Sequence, residues 1–148
     1  MRYIILILIL YSCRQPRQAA KDPYHPHLDD TKIHLKKMVS PDTLEQVLIE
    51  SGFTIDAKNK EPFRVTTKPR KLNGAKRFLI IAVQLNADEV IITGELAADF
   101  DSTTAAETQK KTFKQVEYGG LINTRMRKAW HAMDNIAIRI GGDRVYTK

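Results

Sequence analysis

The stretch that decides the fold is Phe78-Leu79-Ile80-Ile81-Ala82-Val83-Gln84-Leu85, which is apolar at seven of its eight positions. A strand with two apolar faces is typical of the middle of a sheet. Asn86-Ala87-Asp88 follows as a tight-turn signal, and Val90 and Ile92 then alternate with polar neighbours up to Leu96. The sequence therefore predicts an antiparallel hairpin at the centre of a sheet.

Further strands are predicted on either side of this hairpin in the chain. Residues 32–36 alternate polar with apolar side chains, as a half-buried strand does. Residues 53–56 form a short extended segment, and residues 63–68 alternate until Pro69 ends the run. Residues 144–147 are a last short strand, whereas the small polar residues at 98–109 predict a loop.

Two helices are predicted. Ser40 caps the first, Pro41 is at its first helical position, and Gly52 ends it. The second helix covers residues 121–140, between two glycine pairs, and its apolar side chains recur on one face. The order β-α-β-β-β-β-α-β predicts an α+β fold in which an antiparallel sheet of about four to six strands packs against two helices. A length of 148 residues allows a single domain, placed at residues 32–148.

The N-terminus is typical of an export signal. One arginine precedes an apolar run at residues 3–11, and Ser12-Cys13 follows it. As a helix this run rises about 14 Å, which is too short to cross a bilayer core of about 30 Å. The other interpretation is a buried strand or helix of a cytosolic fold, with Cys13 incidental.

The segment Leu10-Tyr11-Ser12-Cys13 resembles the lipobox of bacterial lipoproteins. The resemblance implies a signal peptide at residues 1–12, cleavage before Cys13, and fatty acylation of that cysteine, including palmitate. Residues 13–31 would then be the lipidated cysteine and a flexible, proline-containing tether. A lipoprotein of this kind is anchored to a membrane of the cell envelope. Arg14 stands where the family uses Asp for inner-membrane retention, so the outer membrane is favoured if the source is Gram-negative.

A second resemblance concerns the mature domain. Gly52-Phe53-Thr54-Ile55, Asp56 and the strand Arg64–Pro69 are similar to small envelope lipoprotein domains. The element order resembles the βαβββα domains of an outer-membrane assembly lipoprotein of the BamC type and, more loosely, the helix-grip fold. The resemblance implies a fold and brings no site residues.

Charge is unevenly distributed along the chain. The formal net charge is +7, eight basic residues fall between Lys58 and Arg77, and residues 78–109 contain no Lys or Arg. The predicted contact loop carries five cations: Lys68, Arg70, Lys71, Lys76 and Arg77. Because no aromatic residue interleaves it, nucleic acid is not expected. Anionic lipid headgroups or an acidic envelope protein are the expected partners, and the alternative is a solvated loop.

Motifs for enzyme chemistry are missing from the sequence, which has no phosphate-binding loop, nucleophile elbow or His-Glu-x-x-His helix. We therefore expect no enzyme and no cofactor.

His131 and Asp134 could share a helix face, either as a general base with its orienting carboxylate or as an exposed pair. His25 and His27 are either metal ligands or part of a solvated linker, and the second is favoured. Trp130 and Tyr118 are candidates to line a ligand cavity. The alternative is that Trp130 belongs to the core.

Two functions follow from these patterns. The first is a lipid-anchored, non-enzymatic interaction module that contacts an envelope protein or a membrane surface. The alternative is a carrier of small apolar ligands, with the long helix gripping the sheet. A cavity of about 300 Å³ or more beneath that helix would favour the carrier, and a filled core would favour the module.

Overall fold

The computed structural model describes residues 25–72, 77–98, 113–119 and 124–148. Several predicted features lie outside these residues: the signal peptide, Cys13, most of the tether, Lys76, and nearly all of the loop at 98–109. The described part is an α+β fold with an open antiparallel sheet and two helices.

The described part of the chain contains ten elements. They are β1 (Lys32–Lys36), α1 (Pro41–Glu50), β2 (Ile55–Lys60), β3 (Phe63–Thr67), β4 (Arg70–Lys71), β5 (Arg77–Leu85), β6 (Glu89–Ala98), β7 (Phe113–Gln115), α2 (Thr124–Ile140) and β8 (Asp143–Thr147). The main path through the sheet is β2-β3-β5-β6-β1-β8, while β4 pairs with β5 and β7 with β6.

The sheet differs from its prediction in strand number. The described residues form eight strands, whereas about four to six are predicted. β4 and β7 were missed because two and three residues are too short to show a period. The second strand also begins later than predicted, since Phe53 is buried beyond the helix, where its N–H donates to the carbonyl of Leu48.

The central hairpin forms as predicted. Val83 lies opposite Ile92, and the N–H of Asn86 donates to the carbonyl of Glu89 at 2.9 Å to close the turn. β5 then pairs with β3 on its other side, and β6 pairs with β1. The apolar run at 78–85 therefore lies inside the sheet.

Both helices cover the same face of the sheet. Ser40 caps α1 by accepting from the N–H of Thr43 at 3.2 Å, and Gly52 follows the helix with φ of +81°, which favours glycine. Leu44 and Leu48 of α1 join Ile136 of α2 in one buried core with the inward side chains of the sheet. α2 lies over β6 and β1 and beside α1.

The space between α2 and the sheet is filled. Trp130 is 2% exposed and meets the ring of Tyr118 edge-on at 5.6 Å, so Trp130 belongs to the core. Gly94 on β6 faces Met133, and a Cβ at position 94 would lie 2.7 Å from the Met133 Sδ atom. At this position a methyl group would fit only if the Met133 side chain moved.

No described helix covers the other face of the sheet. The outward side chains there are half-buried, as at His34, Ala82 and Thr93.

The end of the predicted tether is joined to the domain, because Asp29 and Asp30 exchange backbone hydrogen bonds with Tyr118. Neither helix in the described part of the chain has the length and apolar character needed to cross a bilayer.

Candidate functional site

A cavity lies beside α2, between that helix, the end of α1 and β4. We call it the cationic groove. Its volume is about 510 Å³, which is within the range of ligand-binding clefts. Its walls are formed by Ser51, Phe53, Arg70, Lys71, Leu72, Lys128, His131, Ala132, Asn135, Ile136 and Arg139.

The groove concentrates positive charge. Arg70 and Lys71 come from β4, and Lys128 and Arg139 come from α2, while none of the described lining residues is an acid. Within the described part of the chain, Arg70, Lys71 and Arg139 form no ion pair. Like charges held together repel one another, and a bound anion relieves that repulsion. The groove therefore attracts negatively charged groups.

Arg70 is held in place by three contacts. Its guanidinium lies 4.8 Å from the centre of the Phe53 ring, a distance typical of a cation–π pair. The Nη1 atom donates to the carbonyl of Ser51 at the end of α1. The guanidinium also passes close over Gly52, where a Cβ would lie 3.1 Å from Nη1. A guanidinium positioned in advance loses less freedom when it binds a carboxylate or phosphate.

The floor of the groove is apolar. Phe53 and Ile136 are buried, and Leu72 and Ala132 are half-buried. The hydroxyl of Ser51 is also buried here, and it has no hydrogen-bond partner among the described residues. Buried hydroxyls usually have a partner, so this oxygen is an exception in the described part of the chain. The groove can thus take a partner that combines negative charge with an apolar side chain.

His131 and Asp134 do not act together in this structure. His131 is exposed and lines the groove, whereas Asp134 turns toward β8. Its Oδ1 atom accepts from Arg144 Nη1 at 2.8 Å and from the Tyr146 hydroxyl at 3.1 Å. Burial, reinforced by the charge of Asp134, raises the pKa of Tyr146 to about 12. Asp134 therefore fastens α2 to the sheet and does not orient the imidazole.

Only part of the predicted contact loop reaches the groove. Arg70 and Lys71 line it, Lys68 and Arg77 do not, and Lys76 lies outside the described residues. The stretch is also not a loop throughout, because β4 pairs with β5. That pairing holds the two cations at a sheet edge opposite α2.

The wall supplied by α2 was missed from the sequence. Lys128, Asn135 and Arg139 recur at helical spacing, on a stripe beside the apolar face. Helical periodicity applied to polar residues would have found this stripe.

The histidines near the N-terminus show no metal centre. The backbone N–H of His27 donates to the Asp30 carboxylate at 2.7 Å, which forms a local turn. Within residues 25–72, 77–98, 113–119 and 124–148, no group of three or more potential ligands comes together.

Comparisons of the chain with protein-family models, with curated proteins and with solved structures give no match. The class of protein is therefore described by its own geometry: an α+β domain with a helix-covered sheet and a cationic groove.

Proposed function

We propose that this protein is a lipid-anchored, non-enzymatic component of the cell envelope, and that its cationic groove binds an acidic segment of a partner protein. The observation that carries the proposal is the groove itself. Four cations from two elements face one cleft of about 510 Å³, and the described lining contains no carboxylate. The anchor is supported by the lipobox-like segment ending at Cys13.

The shape of the site favours a protein segment over a membrane surface. A planar layer of headgroups is best met by an exposed, convex basic face. Here the cations border a cleft whose floor includes buried Phe53 and Ile136. An extended acidic segment can place an apolar side chain on that floor and its carboxylates on Arg70 and Arg139. The cations and the apolar floor of the groove are then each contacted by a complementary group of the segment.

The alternative function, a carrier of apolar ligands, has less support. It requires a cavity beneath the long helix, where Trp130 and Met133 are fully or nearly fully buried against the sheet. The 2.7 Å approach at Gly94 leaves no space for a ligand at that point. The filled core favours the interaction module.

Anchoring at a membrane limits which proteins can reach the groove. A lipidated Cys13 holds the domain at a membrane of the envelope, with the outer membrane favoured by Arg14 if the source is Gram-negative. Two or three acyl chains are enough for stable attachment. The groove would therefore meet envelope proteins rather than cytosolic ones.

A photo-crosslinking amino acid placed at Asn135 tests the proposal in intact cells. Asn135 is exposed and lines the groove, and the matched control is Ile138 on the same helix, which is 56% exposed and is not part of the lining. We expect an adduct with an acidic envelope protein from position 135 and none from position 138.

Charge-reversed variants show whether the groove causes that adduct. Lys71→Glu combined with Arg139→Glu is expected to abolish the adduct. Lys36→Glu combined with Lys60→Glu makes the same charge change at exposed positions outside the groove, and the adduct should persist. An adduct that survives the first pair, or one formed only with lipid, would refute binding of an acidic protein segment.

A further inference from the structure

A second cavity lies on the opposite face of the sheet, which no described helix covers. We call it the sheet-face cavity. Its volume is about 310 Å³, and it is lined by Lys32, His34, Arg64, Ala82, Gln84, Ile91 and Thr93. A smaller cavity of about 50 Å³ adjoins it and shares Arg64, Ala82 and Thr93.

The register of the central hairpin explains the cavity. Ala82 lies opposite Thr93, and Gln84 lies opposite Ile91, so β5 and β6 together supply the floor. Alanine and threonine are short, whereas the flanking positions carry long side chains. The result is a depression in the middle of the sheet, with an apolar patch at Ala82 and Ile91.

Two cations border this depression from opposite sides. Lys32 projects from β1 and Arg64 from β3, which are separated by three strand spacings, or about 14 Å. Neither forms an ion pair with another described residue. Both cations therefore border a cavity whose described lining contains no carboxylate.

Two carboxylates lie near the sheet-face cavity but outside its lining. Glu95 lines the adjoining smaller cavity together with Arg64. Glu89 Oε2 lies 3.1 Å from His34 Nδ1, and this hydrogen bond is the main reason that the pKa of Glu89 is lowered. The other ring nitrogen, Nε2, lies 3.0 Å from Thr147 Oγ1. The His34 ring is thus held in one orientation in the wall of the sheet-face cavity, and Glu89 is outside the lining of that cavity.

From this arrangement we propose that the sheet-face cavity binds a small dicarboxylate with a short apolar body. The two carboxylates, at opposite ends of the ligand, match Lys32 and Arg64, and the apolar body covers Ala82 and Ile91. A phosphate monoester carries both charges on one group and cannot match the two cations in this way. A volume near 310 Å³ limits the ligand to the lower end of the usual size range. This site is independent of the cationic groove, which lies on the helix side of the sheet.

NMR of the full chain in a neutral detergent tests the proposal, with labelled Ala and Ile methyl groups as reporters. The probes are terephthalate with a charge at each end, phenyl phosphate with both charges on one group, benzoate as a monoanion and benzyl alcohol as a neutral control. We expect terephthalate to shift the Ala82 and Ile91 signals and to bind about tenfold more tightly than benzoate. Phenyl phosphate should bind more weakly than terephthalate, and the reverse order would overturn the proposal. The Ile136 signal, which reports on the groove, should not move.

Matched variants complete the experiment. Lys32→Gln and Arg64→Gln should each weaken terephthalate binding by about tenfold. Lys36→Gln removes a cation from the same face of β1 outside the cavity and should leave binding unchanged. Ala82→Leu should block binding by filling the floor. Equal binding of benzyl alcohol, shifts confined to Ile136, or affinity unaffected by the Lys32 and Arg64 variants would each overturn the proposal.

Discussion

Asp134→Ala should destabilise the domain by separating α2 from β8. The Tyr146 hydroxyl would lose its acceptor in a residue that is 6% exposed, at a cost of about 1–3 kcal/mol. The ion pair with Arg144 adds less than about 1 kcal/mol, because its side chains are 20% and 37% exposed. We expect a total loss of about 2–3 kcal/mol in the free energy of unfolding.

Urea unfolding and thermal melts measure this loss. For a domain of this size it corresponds to a fall in Tm of roughly 6–12 °C. Asp134→Asn keeps an acceptor oxygen and should cost about 1 kcal/mol, mostly through the lost charge. The matched control is His131→Ala on the same helix, which removes an exposed side chain and should change stability by less than about 0.5 kcal/mol.

A double-mutant cycle with Tyr146→Phe isolates the hydrogen bond. Because the two residues share one contact, the double variant should lose less stability than the sum of the single variants. The pKa of Tyr146 should also fall in Asp134→Ala but stay above 10, since burial is the larger cause of its elevation. An Asp134→Ala effect no greater than that of His131→Ala would refute a structural role for this carboxylate.

Three further outcomes are expected. Gly94→Ala should cost about 1–3 kcal/mol, because the new methyl group would meet the Met133 Sδ atom; an effect below about 0.5 kcal/mol in urea unfolding would contradict the filled core. The hydrogen bond with His34 lowers the pKa of Glu89 below 4.5, so the resulting stability is complete above 4.5 and is lost as the pH falls through the native pKa. Glu89→Gln should flatten that acid-limb slope, and an unchanged slope would exclude the contact. At alkaline pH the native fold keeps the Tyr146 proton, so stability should fall by about 1.4 kcal/mol per pH unit between 10 and 12. Tyr146→Phe should remove this part of the slope, as followed by unfolding at each pH.

The central hairpin and the two helices were predictable because their information is local. The run at 78–85 and the turn at 86–88 carry their own period and turn signal, and Ser40-Pro41 marks a helix start. β4 carries no such signal. Its two residues follow Pro69 and acquire strand geometry only by pairing with β5.

The groove could be predicted only in part, because its walls come from distant parts of the chain. Arg70 and Arg139 are far apart in sequence and face each other only after α2 has packed beside α1. The direction in which the Asp134 side chain points could not be predicted for the same reason. Asp134 lies at the border of the apolar stripe of α2, where its side chain can point toward the groove or toward β8. The hydrogen bond with Arg144 on β8 holds it in the second direction.

The sheet-face cavity had no counterpart in the sequence prediction. The sequence raises the question of a cavity only beneath the long helix, whereas the sheet-face cavity lies on the other face of the sheet. Lys32 and Arg64 are ordinary polar positions in two alternating strands. They flank one depression only because β5 and β6 separate those strands in the sheet order.

We propose lipid attachment at Cys13, which would place the domain at a membrane of the cell envelope. Its most direct test is labelling with a fatty acid, followed by fractionation, for the wild type and for Cys13→Ala. We predict that the wild type takes up label and fractionates with membranes, and that Cys13→Ala does neither. A wild type without label, together with a Cys13→Ala variant still in the membrane fraction, would contradict the account.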